Sequence, residues 1–208
     1  VDVKEARRSS QVRQVELTDA ALHIIATKGI AALSTRSLAR QVGLSSGAIF
    51  RHFPSIEALL EAVVSRVEAV LESTLPAVTL PPVERLERFV EARSAAVGKQ
   101  LGILRLVFSE QFLLALPRSG SARLSACVQK TRAFIGACLR EGQASGDLRA
   151  DLASDTLAPI VMGTVQMLAL SRAKKEQRAA EARAVLDSLL ALLRPLPTPA
   201  PKTSKRLR

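Results

Sequence analysis

The stretch from Gly29 to Phe53, GIAALSTRSLARQVGLSSGAIFRHF, constrains this chain most, because it lays out two helices too short to stand alone around a single turn. The first is expected to begin at Ser34, whose hydroxyl can accept from an N–H of the opening turn, and to bury Leu38, Ala39 and Val42 on one face. Gly43, just past the last periodic residue, ends it: glycine takes positive φ without steric cost, so Leu44 can fall back onto the core while Ser45 caps the next helix. That second helix, about Ser46 to His52, sets Ile49 and Phe53 inward at i and i+4. Ser46, Gly47, Ala48, Arg51 and His52 are left with small or polar surfaces, and a helix so furnished fits a major groove. An ordinary helical hairpin would explain the apolar positions but not the small residues at 46 to 48. The spacing predicts a helix-turn-helix.

On Gly29, Thr35, Leu38, Ala39, Val42-Gly43-Leu44-Ser45, Gly47-Ala48-Ile49 and His52-Phe53, the segment from Ala20 to Leu60 resembles the tetracycline-repressor family of bacterial regulators. The resemblance implies a homodimer on a near-palindromic operator of double-stranded DNA, repression by blocking transcription, and release when a small-molecule effector fills a larger helical domain. Carried over by position, Thr35, Arg36, Ser45, Ser46, Gly47, Ala48, Phe50, Arg51 and His52 are the residues that approach DNA. Arg36 can fork onto guanine O6 and N7, Gly47 and Ala48 allow approach to a thymine methyl, and Thr35, Ser45 and His52 suit phosphate oxygens. The family commonly has Lys where Ser46 and Ile56 stand and Tyr where Phe50 stands, each a frequent phosphate contact. Affinity for the DNA backbone is therefore expected to lean on Arg13, Arg40, Arg51 or the N-terminal arm.

The remaining sequence supports an all-α fold: 48% of the 208 residues are hydrophobic, Tyr and Trp are absent, and Leu, Val and Ala recur at helical period. Residues 1–54 are read as a three-helix DNA-binding domain with a flexible arm at 1–10, residues 55–194 as a helical ligand-binding and dimerisation domain, and residues 195–208 as a Pro-rich basic tail without a fold. The net charge of +11 concentrates at the two ends, which points to a polyanionic partner. Cys127 and Cys138 would lie roughly 16 Å apart along one helix and cannot pair within it. They are expected to be reduced, buried thiols, with a redox switch as the other reading. No signal peptide or apolar run near 18 residues is visible, so a soluble, cytoplasmic chain without membrane contact is expected. HExxH, P-loop and Gly-x-Ser-x-Gly patterns are missing, and His23 and His52 are the only histidines. No catalytic residue, cofactor or metal site is therefore expected. A helical ligand-binding or catalytic protein keeping the helix-turn-helix as scaffold is the competing class.

Further helices are expected over 10–28, 55–75, 83–99, 103–116, 121–145, 154–173 and 176–193. The first starts its apolar repeat at Val12, Val15 and Leu17, and Pro117 and Gly120 separate the fourth from the fifth. Pro159 falls inside the sixth, where it costs roughly 3 kcal/mol unless that helix kinks or starts later. An effector pocket would draw on Arg105, Phe108, Gln111, Phe112, Phe134, Cys138, Met162 and Gln166, apolar side chains with a few polar anchors. The last two helices carry apolar residues on more than one side. Their faces Val161, Val165, Leu168, Val185, Leu186, Leu189 and Leu193 are expected to pair with a second copy in a four-helix bundle.

Overall fold

Nine α-helices and one 3-10 turn make up the regular structure of the residues that the computed structural model describes, which are 3–99, 109–170 and 175–196. No strand occurs among them, and no helix among them is long and apolar enough to cross a membrane. The helices are α1 (Val3–Lys28), α2 (Thr35–Val42), α3 (Ser46–Phe50), α4 (Ile56–Ser73), α5 (Pro82–Lys99), α6 (Glu110–Ala115), α7 (Arg118–Ser145), α8 (Ser154–Leu170) and α9 (Lys175–Leu193); the turn, Ile30–Ala32, joins α1 to α2. Residues 197–208, most of the basic tail, lie outside the described residues.

Three expected boundaries are corrected. α1 begins at Val3 rather than near Ser10, since Lys4, Glu5, Ala6, Arg7 and Arg8 all favour helix. Among its described side chains the buried stripe starts at Leu17, and Val12 and Val15 are about half exposed. The run 103–116 is not one helix, because Ser109 is extended (φ −87°, ψ 110°) and caps α6, its hydroxyl accepting from the Phe112 N–H at 3.3 Å. Gly120 does not end a helix either. α7 starts at Arg118, directly after Pro117, and Gly120 sits inside it where an added Cβ would meet Val64 Cγ2 at 3.2 Å, so the glycine lets α7 approach α4. Pro159 stays within α8 at an exposed position, where water can serve the carbonyl of Asp155 that the missing N–H would have met.

Two apolar cores result, and α7 belongs to both. Leu17, Ile24, Leu38, Ile49, Leu59, Val63 and Val67 from α1 to α4 pack with Phe112 of α6 and with Leu124 and Cys127 from the first half of α7. Leu86, Phe89 and Val90 of α5 pack with Ile135, Cys138 and Leu139 from its second half and with α8 and α9. Along the first core, Arg123 of α7 binds Glu61 at 2.9 Å, Glu68, and Ser65 at 2.9 Å, all on α4, and Lys130 binds Glu72 at 2.6 Å. The two cysteines are free and buried, one in each core. Burial pushes both thiols up, Cys138 to about 11, so neither is a ready thiolate.

The terminal hairpin is arranged differently from expectation. Val161, Val165, Leu168, Leu186, Leu189 and Leu193 are each less than 8% exposed, and Val185 is partly buried against the same core. The six buried ones fill the chain's own interior, where they cover α5 and α7, and so present no surface to a second copy. Ile160, Met167 and Leu192 are the large apolar side chains of α8 and α9 that stand outward, at 56%, 69% and 68% exposure.

The turn after α7 gives a sharp test of packing. Gly146 (φ +81°) closes the helix, and the Leu148 N–H returns to the Gly142 carbonyl at 2.9 Å, which lays Leu148 on Gly142. A Cβ at Gly142 would lie 2.6 Å from Leu148 Cδ1 and 2.8 Å from Cγ. Gly142→Ala is therefore expected to lower unfolding free energy by about 1 to 3 kcal/mol in a urea titration, with an unchanged slope.

Candidate nucleic-acid interface

The helix-turn-helix is assembled from caps. Ser34 Oγ accepts from the Ser37 N–H at 3.1 Å, and Ser37 Oγ accepts from the Ser34 N–H at 2.9 Å, a reciprocal capping box that opens α2. Ser37 Oγ also donates to the Ala32 carbonyl at 2.8 Å, tying the box to the preceding turn. Gly43 (φ +68°) ends α2, with its own N–H and that of Leu44 both directed to the Ala39 carbonyl. Ser45 Oγ then accepts from the Ala48 N–H at 3.2 Å and starts α3. Ser55 caps α4 in the same way through Ala58, and Glu57 in its first turn is held below the usual carboxylate range by its backbone N–H and the Ser55 hydroxyl.

α2 and α3 turn Leu38, Ala39 and Ile49 toward α1 and α4, and Ala48 is buried beside Ile49. Ser46, Gly47, Phe50 and Arg51 face outward on α3, Arg36 faces outward on α2, and Ser45 stands exposed between them. Thr35 and His52 are partly covered. Ala48 is only 7% exposed, so in the free chain its methyl offers little surface to a DNA base. Gly47 has nothing within 4 Å of an added Cβ and is open to close approach by a partner.

Charge sharpens the surface. Residues 29–54 hold no Asp or Glu, and Arg36, Arg40 and Arg51 are exposed and make no ion pair among the described residues. Arg13, by contrast, is engaged with Glu16 at 2.6 Å. Sequence reasoning missed the groups that hold the reading unit in place. Gln14 donates to the His52 carbonyl at 3.1 Å, and Arg66 of α4 binds Asp19 of α1 at 3.0 Å. Neither pair has a local signal, since the partners meet only after folding.

The residues put forward for an effector are not gathered around one space. Arg105 and Phe108 lie outside the described residues. Phe112 is buried in the first core and Gln111 is exposed, whereas Phe134, Cys138 and Met162 belong to the second core, with Gln166 partly buried on α8. A cleft of about 500 Å³ lies at another place, lined by Ile30, Leu33, Ile56, Glu57, Leu60 and Ala115 to Pro117, where α6 meets the reading unit.

Residues 17–63 match the family of bacterial regulatory proteins described as the tetR family. The nucleoid occlusion factor SlmA of Haemophilus ducreyi is 32% identical over 76 residues, 36% of this chain and only 38% of that protein. The HTH-type transcriptional repressor DhaR of a Mycobacterium species is 27% identical over 186 residues, which cover 88% of this chain and 90% of that protein. The solved structure of the ketosteroid transcriptional regulator KstR2 of Mycobacterium tuberculosis superposes with a TM-score of 0.73 at 21% identity, covering 88% of this chain and 95% of that one, a likeness of fold.

The caps and the open glycine make opposite predictions for stability. Ser34→Ala removes one half of the capping box and is expected to cost about 1 kcal/mol. Gly47→Ala fills open space on a helix and is expected to leave the thermal midpoint unchanged or raise it. Thermal unfolding followed by circular dichroism at 222 nm distinguishes the two.

Proposed function

The chain belongs to the tetR family of bacterial regulatory proteins, and from that premise we propose that it is a repressor gripping a near-palindromic operator as a homodimer and released by a small apolar or amphipathic effector. The observation that carries this reading is the acid-free segment 29–54 with Arg36, Arg40 and Arg51 outward around α2 and α3. Such a surface neutralises phosphates, while the outward side of α3 is narrow enough to enter a major groove. Arg36 is assigned to base edges, and Arg51, Ser45 and the partly covered Thr35 and His52 to the backbone. DhaR, a repressor similar over most of its length, supports repression. In this reading residues 1–54 form the reading head and 55–194 the regulatory body.

A dimer follows from geometry on both sides. Two heads must sit about 34 to 36 Å apart, or a whole-turn multiple, to enter successive grooves on one side of the duplex. Ile160, Thr164 and Met167 form one outward stripe on α8, and Ala184, Ser188 and Leu192 one on α9; pairing two such hairpins covers their apolar side chains. An effector that prefers the conformer with wider-spaced heads lowers operator affinity by its differential affinity, and operator must weaken the effector by the same factor.

Two tests follow. The purified protein is used to select duplexes from a random pool, and Arg36→Ala and Arg51→Ala are profiled on the winner. Arg36→Ala is expected to cost about 1 to 3 kcal/mol and to relax preference at one base pair per half-site; Arg51→Ala should weaken all sequences alike and flatten the salt dependence. Failure to enrich any sequence would overturn the regulator reading. For assembly, light scattering should give a dimer at micromolar concentration for the wild type and a folded monomer for Met167→Glu with Leu192→Glu, because those side chains lie outside the chain's own core.

A further inference from the structure

Arg85 and Arg93 lie two turns apart on one face of α5, each only 3% exposed, and only one of them has an anion. Arg85 is paired with Glu141 of α7. Arg93 meets no carboxylate among the described residues. Its Nη2 donates to Thr131 Oγ1 across a long 3.3 Å, its guanidinium carbon lies 5.0 Å from the centroid of the Phe89 ring, and its Nε is enclosed without a partner. The Thr131 hydroxyl proton is already given to the Cys127 carbonyl at 3.0 Å, and the hydroxyl of the neighbouring Ser94 is likewise enclosed and unpartnered. Acids on the surrounding helices are engaged elsewhere: Glu91 with Arg183, Glu68 with Arg123, Glu72 with Lys130. Burial pulls Arg93 down to about 10, which still leaves it charged at neutral pH.

Among the described residues this buried guanidinium meets the Phe89 ring and the Thr131 hydroxyl, which leaves most of its five donors unused, a costly arrangement unless an anion arrives. We propose that Arg93 anchors the carboxylate of a small organic acid with an apolar body, its Nε and Nη2 taking the two carboxylate oxygens. Phe89 and Phe134, whose rings pack directly on each other at 5.4 Å, offer one aromatic wall to the apolar body; Phe134 is only partly buried and can be reached. Charge selects the class of ligand. One unpaired cation is matched by a singly charged planar anion, whereas a phosphate dianion would leave a charge buried and a neutral molecule would leave the cation unmatched. The inference rests on the effector reading above and narrows it from apolar molecules in general to carboxylic acids.

The chain contains no Tyr or Trp, so binding is read from helix melting by circular dichroism and from calorimetry. Hexanoate, octanoate, decanoate and phenylacetate are compared with the alcohols of the same skeletons, on wild type, Arg93→Met and Arg93→Lys. At least one acid is expected to raise the wild-type melting temperature saturably and to bind at least about 10-fold tighter than its alcohol, and Arg93→Met should lose about 10- to 100-fold of that affinity. Without acid, Arg93→Met should melt at or above wild type, since an apolar side chain replaces an unpaired charge; a merely structural arginine predicts the reverse. Should Arg93→Met fail to fold, Arg93→Lys, which keeps the charge and loses the fork, carries the test: it should still prefer acid but more weakly, and undiminished acid binding to it would overturn the proposal. Equal shifts by acids and alcohols, no shift by any of the acids, or undiminished acid binding to Arg93→Met would each overturn it. Operator binding is measured separately on ligand-free wild type, so loss of the regulator reading would show there while acid binding is still read by melting.

Discussion

The joint between α4 and α7 is the contact on which the rest of the structure depends. α4 carries the reading unit at its N-terminus, and α7 is the one helix that enters both cores. Gly120 brings the two close, Val64, Val67, Leu124 and Cys127 exclude water, and Arg123 with Lys130 spans Glu61, Glu68 and Glu72 along their length. Each of those ion pairs is partly exposed, so individually they stabilise little; as a ladder they fix the register of one helix against the other.

At the far end of α4, stability and surface chemistry are divided between different residues. Hydroxyls at Ser34, Ser37, Ser45 and Ser55 satisfy the free N–H groups of three helix starts, and Gly43 supplies the positive φ that sets the angle between α2 and α3. Ala48 and Ile49 anchor α3, which leaves Ser46, Gly47, Phe50 and Arg51 free of structural duty. Glu57, the first acid after the segment, is occupied with the first turn of α4. The result is a small, positively charged face borne on a rigid frame, as a phosphate-lined groove requires.

In the second core the helices meet through both apolar and charged groups. α5 faces α7 with Arg85, Phe89 and Arg93 in succession, opposite Glu141, Phe134 and Thr131. α8 and α9 cover this layer with their most apolar faces and expose a narrower stripe of Ile160, Met167 and Leu192. The hairpin thereby serves the interior first and any second copy with what remains.

Local signals determined the reading unit: serines before apolar periodic runs and a glycine after them are features of covalent structure and backbone sterics that act over a few residues, so the caps of α2, α3 and α4 and the turn at Gly43 were legible. So was the all-α class, through periodicity and the absence of β-rich alternation. Which apolar face of α8 and α9 turns inward was not legible, because periodicity reports that a face is buried but not by what; only the packing of α5 and α7 assigned Leu186, Leu189 and Leu193 to the interior. Ala48 is the same lesson at one residue, since a small side chain suits a groove and a core equally and its neighbours decide. The unpaired charge of Arg93 is likewise a tertiary fact. The sequence by itself placed Arg93 on a helix with Glu84, Glu87 and Glu91 before it and no acid after it, and only the docking of α5 on α7 gave Arg85 a carboxylate and withheld one from Arg93, because pairing depends on which side chains the three-dimensional fold brings opposite one another.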